Sequence, residues 1–446
     1  MASAQDAELQ ELIRRLSGEP VHGASAQQWE LLVRVAVFKT ATEVVAFLFQ
    51  QAADRIDAAY QPKPGEHYKG RARLQTQGIF GSFEIQRDYY FDPEKEQGHF
   101  PADAALGLEG GYTPALARLI CLESADETGF EKAQEHLRET GGIDVSARQM
   151  ARLVQRIGPA AQAWQQRPTP PEACDAPVLY VSGDGTGLPM RKEELAGRKG
   201  KQPDGGAKTR QAYLGCVFTQ HKRDEKGSPI RDHDSTSYIA TMAPVEDFGL
   251  LLRKEALRRG SGTAGKIVML IDGAAGLENL GRINFPGALQ IVDFFHALEH
   301  LKTLLEALWG QDHPDIKQQR HRWAKLLLKD GVEKIIQQAR LWSRGKARQE
   351  GVHKALGYFE RNIQRMQYGT FRTAGYFIGS GVVEAGCKTV IGSRCKQSGM
   401  FWSQEGAENI LALRCIKSSR QWNSFWKKRA NDHALKNDAL ALQPQP

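Results

Sequence analysis

Residues 176–190 read APVLYVSGDGTGLPM, an apolar run that delivers one carboxylate, Asp184, into a glycine-spaced segment. A short apolar run bounded by proline and glycine reads as a β-strand. Working outward, RQAYLGCVFTQ (210–220) and STSYIATMAP (235–244) read as two further strands, and EDFGLLLRKEALRRG (246–260) as a helix. KIVMLIDGA (266–274) is a buried strand that ends at Asp272, and ALQIVDFFHALEHLKTLLEAL (288–308) is a strand that turns into a helix near Phe295. Strands alternating with helices after an initial run of three predict an α/β domain.

The order is that of a ribonuclease H-like α/β domain, in which the first and fourth strands are neighbours, so Asp184 and Asp272 are expected to face one another. Open α/β sheets place ligands at the carboxyl ends of their strands. Two adjacent carboxylates repel unless a cation lies between them, and Mg²⁺ takes oxygen ligands from several chain segments. A third acid is expected from a later helix. GSGVVEAGCK (379–388) supplies Glu384, alone among valines and glycines. The almost wholly helical stretch 297–376 would then be an insertion between the fifth strand and the helix bearing Glu384. Taken singly, each acid has a plainer reading: DG is a common turn dipeptide, and a lone Glu is often a solvated helix residue. Taken together, Asp184, Asp272 and Glu384 are the candidate catalytic residues and the candidate ligands of two Mg²⁺ ions, with Mn²⁺ as substitute. Glu405 and Glu408 are next in line for the third place.

Charge points to the same chemistry. The chain carries 60 Lys and Arg against 52 Asp and Glu, and residues 301–446 alone hold 25 against 12. A basic C-terminal third fits a polyanionic partner, most simply nucleic acid, although a solvated basic face would look the same. Lys388, Arg394 and Lys396 follow Glu384 and are candidate DNA contacts. Phe401 and Trp402 could stack on a splayed base, but core packing is the plainer reading. The six cysteines show no CxxC pair and no zinc spacing, which predicts reduced thiols in a cytoplasmic compartment. The amino-terminal stretch MASAQDAELQELIRR has no signal-peptide core, and the most apolar stretch is broken by Arg34 and Lys39.

Ahead of the α/β domain, residues 27–60 read as one long amphipathic helix and GIFGSFEIQRDYYF (78–91) as a β patch. A helix over 130–139, a GG turn at 141–142 and a helix begun by Ser146 have helix-turn-helix proportions. On the last helix Arg148, Arg152 and Arg156 share one face, placed to follow phosphates or to form a solvated stripe. The proline-rich RPTPPEACDAP (167–177) reads as a linker. The expected organisation is a DNA-binding region over 1–166 with a helix-turn-helix at about 130–157, the linker, a first core part at 178–296, the helical insertion at 297–376, a second core part at 377–420 and a basic tail at 421–446.

GDGTGLPM, KTRQAYLGCVFTQ, LIDGAAGLENL, IVDFFHALEHL and GSGVVEAGCKTVIGSRCKQSGMFWSQEGAENILALRC, in this order, resemble the ISKra-type family of bacterial insertion-sequence transposases. The resemblance implies an Asp-Asp-Glu triad at Asp184, Asp272 and Glu384, a ribonuclease H-like fold with an all-helical insertion, and binding to terminal inverted repeats. Asp293 and His296 resemble the Asp-x-x-His signature of Mutator-like transposases and are expected to support the site or to contact flanking DNA; a helix cap and a core histidine are the alternative. The expected partners are the element's ends, target DNA and further copies of the chain in a homodimer or larger assembly, in a bacterial, nucleoid-associated setting. Two other readings stay open: an actin-like sugar kinase or ATPase, whose phosphate turn GDGTG resembles, and a catalytically inactive DNA-binding protein.

Overall fold

The computed structural model describes residues 2–17, 23–168, 173–200, 205–273, 275–344 and 349–441. Contacts divide the chain into two compact units, 1–156 with 423–446, and 157–422.

The first unit begins with α1 (Ala2–Ser17) and the long α2 (Gly23–Ala59), followed by an antiparallel sheet of β1 (His67–Gln77), β2 (Ser82–Asp92) and β3 (Gln97–His99). α2 packs on this sheet through edge-on aromatic pairs, Phe38 with Phe80 at 5.5 Å and Phe49 with Phe83 at 5.6 Å. Gln50 of α2 donates to the Gln86 carbonyl and accepts its amide, at 2.9 and 2.8 Å, so its side chain stands in for a neighbouring strand. Then come α3 (Pro101–Ala105), α4 (Pro114–Asp126), α5 (Phe130–His136) and α6 (Ala147–Gln166). Between α5 and α6 the chain makes one π turn and reverses at Gly142, whose φ of 64° favours glycine.

The second unit holds a five-stranded mixed sheet in the order β10-β9-β4-β5-β8, built from β4 (Val178–Pro189), β5 (Thr209–Gln220), β8 (Ser237–Thr241), β9 (Lys266–Ile271) and β10 (Leu289–Val292). β4, β5 and β8 pair antiparallel, whereas β9 runs parallel to β4 and β10 parallel to β9. A small ribbon, β6 (Lys222–Arg223) with β7 (Pro229–Ile230), projects between β5 and β8. α7 (Val245–Arg258) can lie close to the sheet because Gly183 and Gly215 face each other across β4 and β5. A Cβ at either glycine would meet Phe248 or Leu252 at 3.0 and 2.7 Å. α8 (Ala275–Asn284) joins β9 to β10.

After β10 come α9 (Phe294–Trp309), α10 (Ile316–Leu327), α11 (Val332–Ser343), α12 (Gln349–Asn362) and α13 (Tyr368–Thr373). The fully buried Trp323 centres this helical stretch, stacked 5.3 Å from Trp342 and donating from Nε1 to Gln338 at 2.8 Å. The chain returns to the sheet through α14 (Gly381–Gly386), a π turn, the short α15 (Ser393–Cys395) and α16 (Gln404–Ser418), which packs against β8. α17 (Trp422–Ala441) closes the chain.

Three features differ from the sequence reading. The stretch at 167–177 is in part outside the described residues, but its described ends are pinned within the second unit: Arg167 lies 3.6 Å over the Trp164 ring, and the Cys174 amide donates to Thr263 at 2.8 Å. The unit boundary falls instead at 156/157, inside α6. The basic stretch from 421 is not a free tail, since buried Phe425 and Trp426 and an Arg429–Glu109 ion pair hold α17 in the first unit. All six cysteines are unpaired. No helix among the described residues is long and apolar enough to cross a membrane.

Candidate active site

Asp184 and Asp272 occupy equivalent positions on neighbouring parallel strands. The last paired couple of β4 and β9 is Ser182 with Leu270, and each acid lies two residues beyond it, at the carboxyl end of β9. The Ser182 hydroxyl donates to the Leu270 carbonyl at 2.9 Å, pinning the two strands just before the acids. Asp184 accepts the Gly185 amide at 2.7 Å. Both acids are partly exposed.

Glu384 lies on α14, which packs on β4 and β5. The Ser380 hydroxyl donates to its Oε1 at 2.9 Å. Segment 378–380 is docked on the start of α9: the Phe294 amide donates to the Ile378 carbonyl at 2.9 Å, and the Ser380 amide donates to Asp293 Oδ2. Asp293 is fully buried and caps α9 through the His296 amide at 2.7 Å, while its Oδ1 lies 3.1 Å from His296 Nδ1. One buried carboxylate therefore ties the helix that follows β10 to the segment that carries Glu384.

Ligating atoms of Asp293, His296 and Glu384 all lie within 4.8 Å of one another. Among the described residues the one other group of this kind is Glu123, Glu127 and His136 in the first unit. Asp184 and Asp272 belong to neither, so the three acids picked out by spacing do not meet in one ion-sized cluster. They are joined through intermediaries instead. The Asp293 hydrogen bond, opposed by burial and helped by the charges of Asp293 and Asp272, raises His296 to about 9. Burial works to raise Asp293, but hydrogen bonds from His296 and Ser380 outweigh it and hold the carboxyl below its ordinary value. Burial, then the neighbouring Asp184 charge and a hydrogen bond to it, push the Cys387 thiol up. Asp184 thus touches the turn that follows Glu384, while Asp272 acts on the residue beside it.

Sequence reasoning missed several neighbours. Tyr358 of α12 donates to the Asp272 carbonyl at 3.0 Å, and its ring stacks on His300 with centroids 3.5 Å apart. Gly273, with a φ of 81°, leaves room for that phenol, because a Cβ there would sit 2.8 Å from it. No sequence signal links positions separated by a whole helical insertion. Ser380 was more accessible to inspection, as a hydroxyl one helical turn before Glu384.

The expected DNA contacts divide. Lys388 is exposed, and the exposed Lys396 donates to Thr186, two residues beyond Asp184. Arg394 does not fit a surface role: it is fully buried, 5.1 Å from the Trp402 ring centroid and 3.5 Å from Met400 Sδ. A guanidinium packed on an indole braces the turn after the π segment and cannot reach a phosphate. Trp402 is buried with it, as core packing predicts, whereas Phe401 is 54% exposed and is not core. Arg148, Arg152 and Arg156 are all exposed on α6, opposite the buried Met150, Leu153 and Val154. Glu408 is bonded to the Met242 amide at 2.6 Å and to Thr241, and the exposed Glu405 lines the same cavity as Glu408 and Thr241, so neither acid belongs to the cluster of Asp293, His296 and Glu384.

GDGTG is not a turn. Residues 183–187 pair one for one with 215–211 of β5, and none of the three glycines has positive φ. That geometry does not form the phosphate-wrapping bend of an actin-like ATPase.

No model of a known protein family matches the chain, and no curated protein matches it in sequence. Among solved structures, it is similar to the Drosophila P element transposase strand transfer complex, with 12% identity over 72% of this chain and 80% of that one, at a TM-score of 0.25.

Proposed function

We propose that the chain is an insertion-sequence DNA transposase with a ribonuclease H-like catalytic domain, in which Asp184, Asp272 and Glu384 act as an Asp-Asp-Glu triad. The observation that carries this reading is the pairing of β4 with β9, with Asp184 and Asp272 at equivalent positions and Glu384 on a helix packed on β4. Donors of this kind suit a hard divalent cation. They are carboxylate oxygens from three separate segments, partly exposed, with Asp293 and His296 adjoining Glu384. When bound, Mg²⁺ or Mn²⁺ supplies Lewis-acid activation of the attacking oxygen and neutralises charge at the leaving oxygen. The protein's own work is positioning. Ser380 fixes one oxygen of Glu384, Asp293 anchors the segment before it, and Tyr358 holds the backbone of Asp272. Lys388 and Lys396 are available to phosphates, and no covalent protein nucleophile is needed. The exposed Arg148, Arg152 and Arg156 serve terminal-repeat binding, and a homodimer or larger assembly acts on the DNA ends.

The test is cleavage of a duplex carrying the element's end, with Mg²⁺ or Mn²⁺ and without nucleotide. The expected result is metal-dependent 3′-hydroxyl ends or strand-transfer products, abolished by EDTA and reduced at least about 100-fold in D184N, D272N and E384Q alike, since each removes a charge that holds metal. DNA binding should persist in all three. Binding without cutting in the wild-type protein would favour an inactive DNA-binding protein. DNA-independent ATP turnover would favour the actin-like reading, which the straight β4 already disfavours.

A further inference from the structure

A cleft of about 780 Å³ opens in the second unit along residues 376–381, the segment that leads into Glu384. One wall is Phe295, which lies in sequence between Asp293 and His296 yet is 61% exposed. Its ring rests on the backbone of Gly379: a Cβ at that glycine would lie 3.3 Å from the ring and 3.6 Å from Asp293 Oδ2. The ring and the buried carboxylate thus flank the same glycine. Gly381, which has nothing within 4 Å of its Cβ position, continues an open floor toward α14. The far side is lined by Lys226 of the β6–β7 ribbon and Arg372 of α13, both exposed, and neither forms an ion pair among the described residues.

An exposed aromatic face, a floor opened by Gly379 and Gly381 and two exposed cations are the parts that grip an unstacked nucleotide. The ring takes the base, which any sequence can supply, and the cations take the phosphates to either side. An apolar peptide would use the ring but not the cations, and a free anion would use the cations but not the ring. We propose that this cleft holds an unpaired nucleotide of DNA next to the scissile phosphate, with its base stacked on Phe295 and its backbone held by Lys226 and Arg372. The inference rests on the reading of the chain as a DNA transposase. Separation of the strands beside the cut would then be a binding requirement set by Phe295.

The experiment is metal-free, so that it does not depend on catalysis. Full-length protein is titrated in EDTA with two probes of the same sequence, a blunt duplex and a forked duplex with a short unpaired arm carrying 2-aminopurine. The forked probe should bind about tenfold more tightly, with quenching of 2-aminopurine on stacking. Phe295→Leu should abolish both the preference and the quenching, whereas Phe295→Tyr should restore them. Lys226→Ala and Arg372→Ala should each lower the salt slope of fork binding by about one. Equal affinity for fork and blunt duplex, or an unchanged preference in Phe295→Leu, would overturn the proposal. So would loss of function in both Phe295 variants while circular dichroism shows them folded. Failure of the transposase reading gives a different pattern, in which the wild-type protein keeps its fork preference but never cuts when metal is added.

Discussion

Asp293 does more for this site than its place beside a phenylalanine pair suggests. It accepts from His296 and from the Ser380 amide while fully buried, so a charge that would be costly alone is offset by directed hydrogen bonds. The pH consequence is definite in sign. His296 is raised to about 9 in the fold, so its pairing with Asp293 contributes fully below the unfolded histidine value near 6.5 and is lost as pH rises through about 9. In metal-free protein, an NMR titration should place the His296 midpoint near 9 and find it lowered toward the ordinary range in Asp293→Asn. A midpoint that does not move would show that another group raises it. Gly273 offers a second check. Gly273→Ala adds a Cβ at a φ of 81° and 2.8 Å from the Tyr358 hydroxyl. It should cost about 1–3 kcal/mol in denaturant unfolding and should lower cleavage by displacing Asp272.

At the scale of elements, legibility followed burial. β4, β5, β8, β9 and β10 are apolar runs, and the sequence marks each of them. β1 escaped because HYKGRARLQTQ is exposed along most of its length, and its pairing with β2 is a tertiary fact that no local pattern carries. Asp184, Asp272 and Glu384 could be picked out by strand order, but the links of Tyr358 to Asp272 and of Cys387 to Asp184 could not, because those join segments far apart in sequence. Arg394 misled because charge density ignores burial. α6 is the element with the clearest separate test. Its Arg148, Arg152 and Arg156 lie opposite a buried apolar face, so replacing all three with alanine should leave the helix packed. Binding to a terminal-repeat duplex should weaken, with the slope of log affinity against log salt falling by about 2–3. An unchanged slope in the folded triple variant would move recognition to another element.

The molecule as a whole puts its basic excess late in the sequence, yet α17 returns part of it to the first unit, so charge is shared between both units and not confined to a tail. The first unit also leaves one surface unexplained. α2 packs the half-buried Phe38 and Phe49 against its own sheet but exposes Val33, Val37, Thr40, Val44 and Phe47, spaced 4-3-4-3 along the opposite side. Leu48, next to Phe47, widens this apolar area. Such spacing is that of a helix seam that packs on another helix. A second copy of α2 is the self-complementary partner a homodimer would supply. Five half-exposed aliphatic and aromatic side chains would form the apolar centre of an interface whose stable size is roughly 800 Å² per partner. The expected outcome is a dimer at micromolar concentration in sedimentation velocity, without DNA. Val37→Lys with Val44→Lys should convert it to monomer while leaving the unfolding midpoint of the first unit within about 1 kcal/mol, because both positions face away from the sheet. If the double variant still sediments as a dimer, α2 is not the seam. If the wild-type chain is a monomer until DNA is added, assembly depends on the bound ends and the apolar stripe needs another occupant.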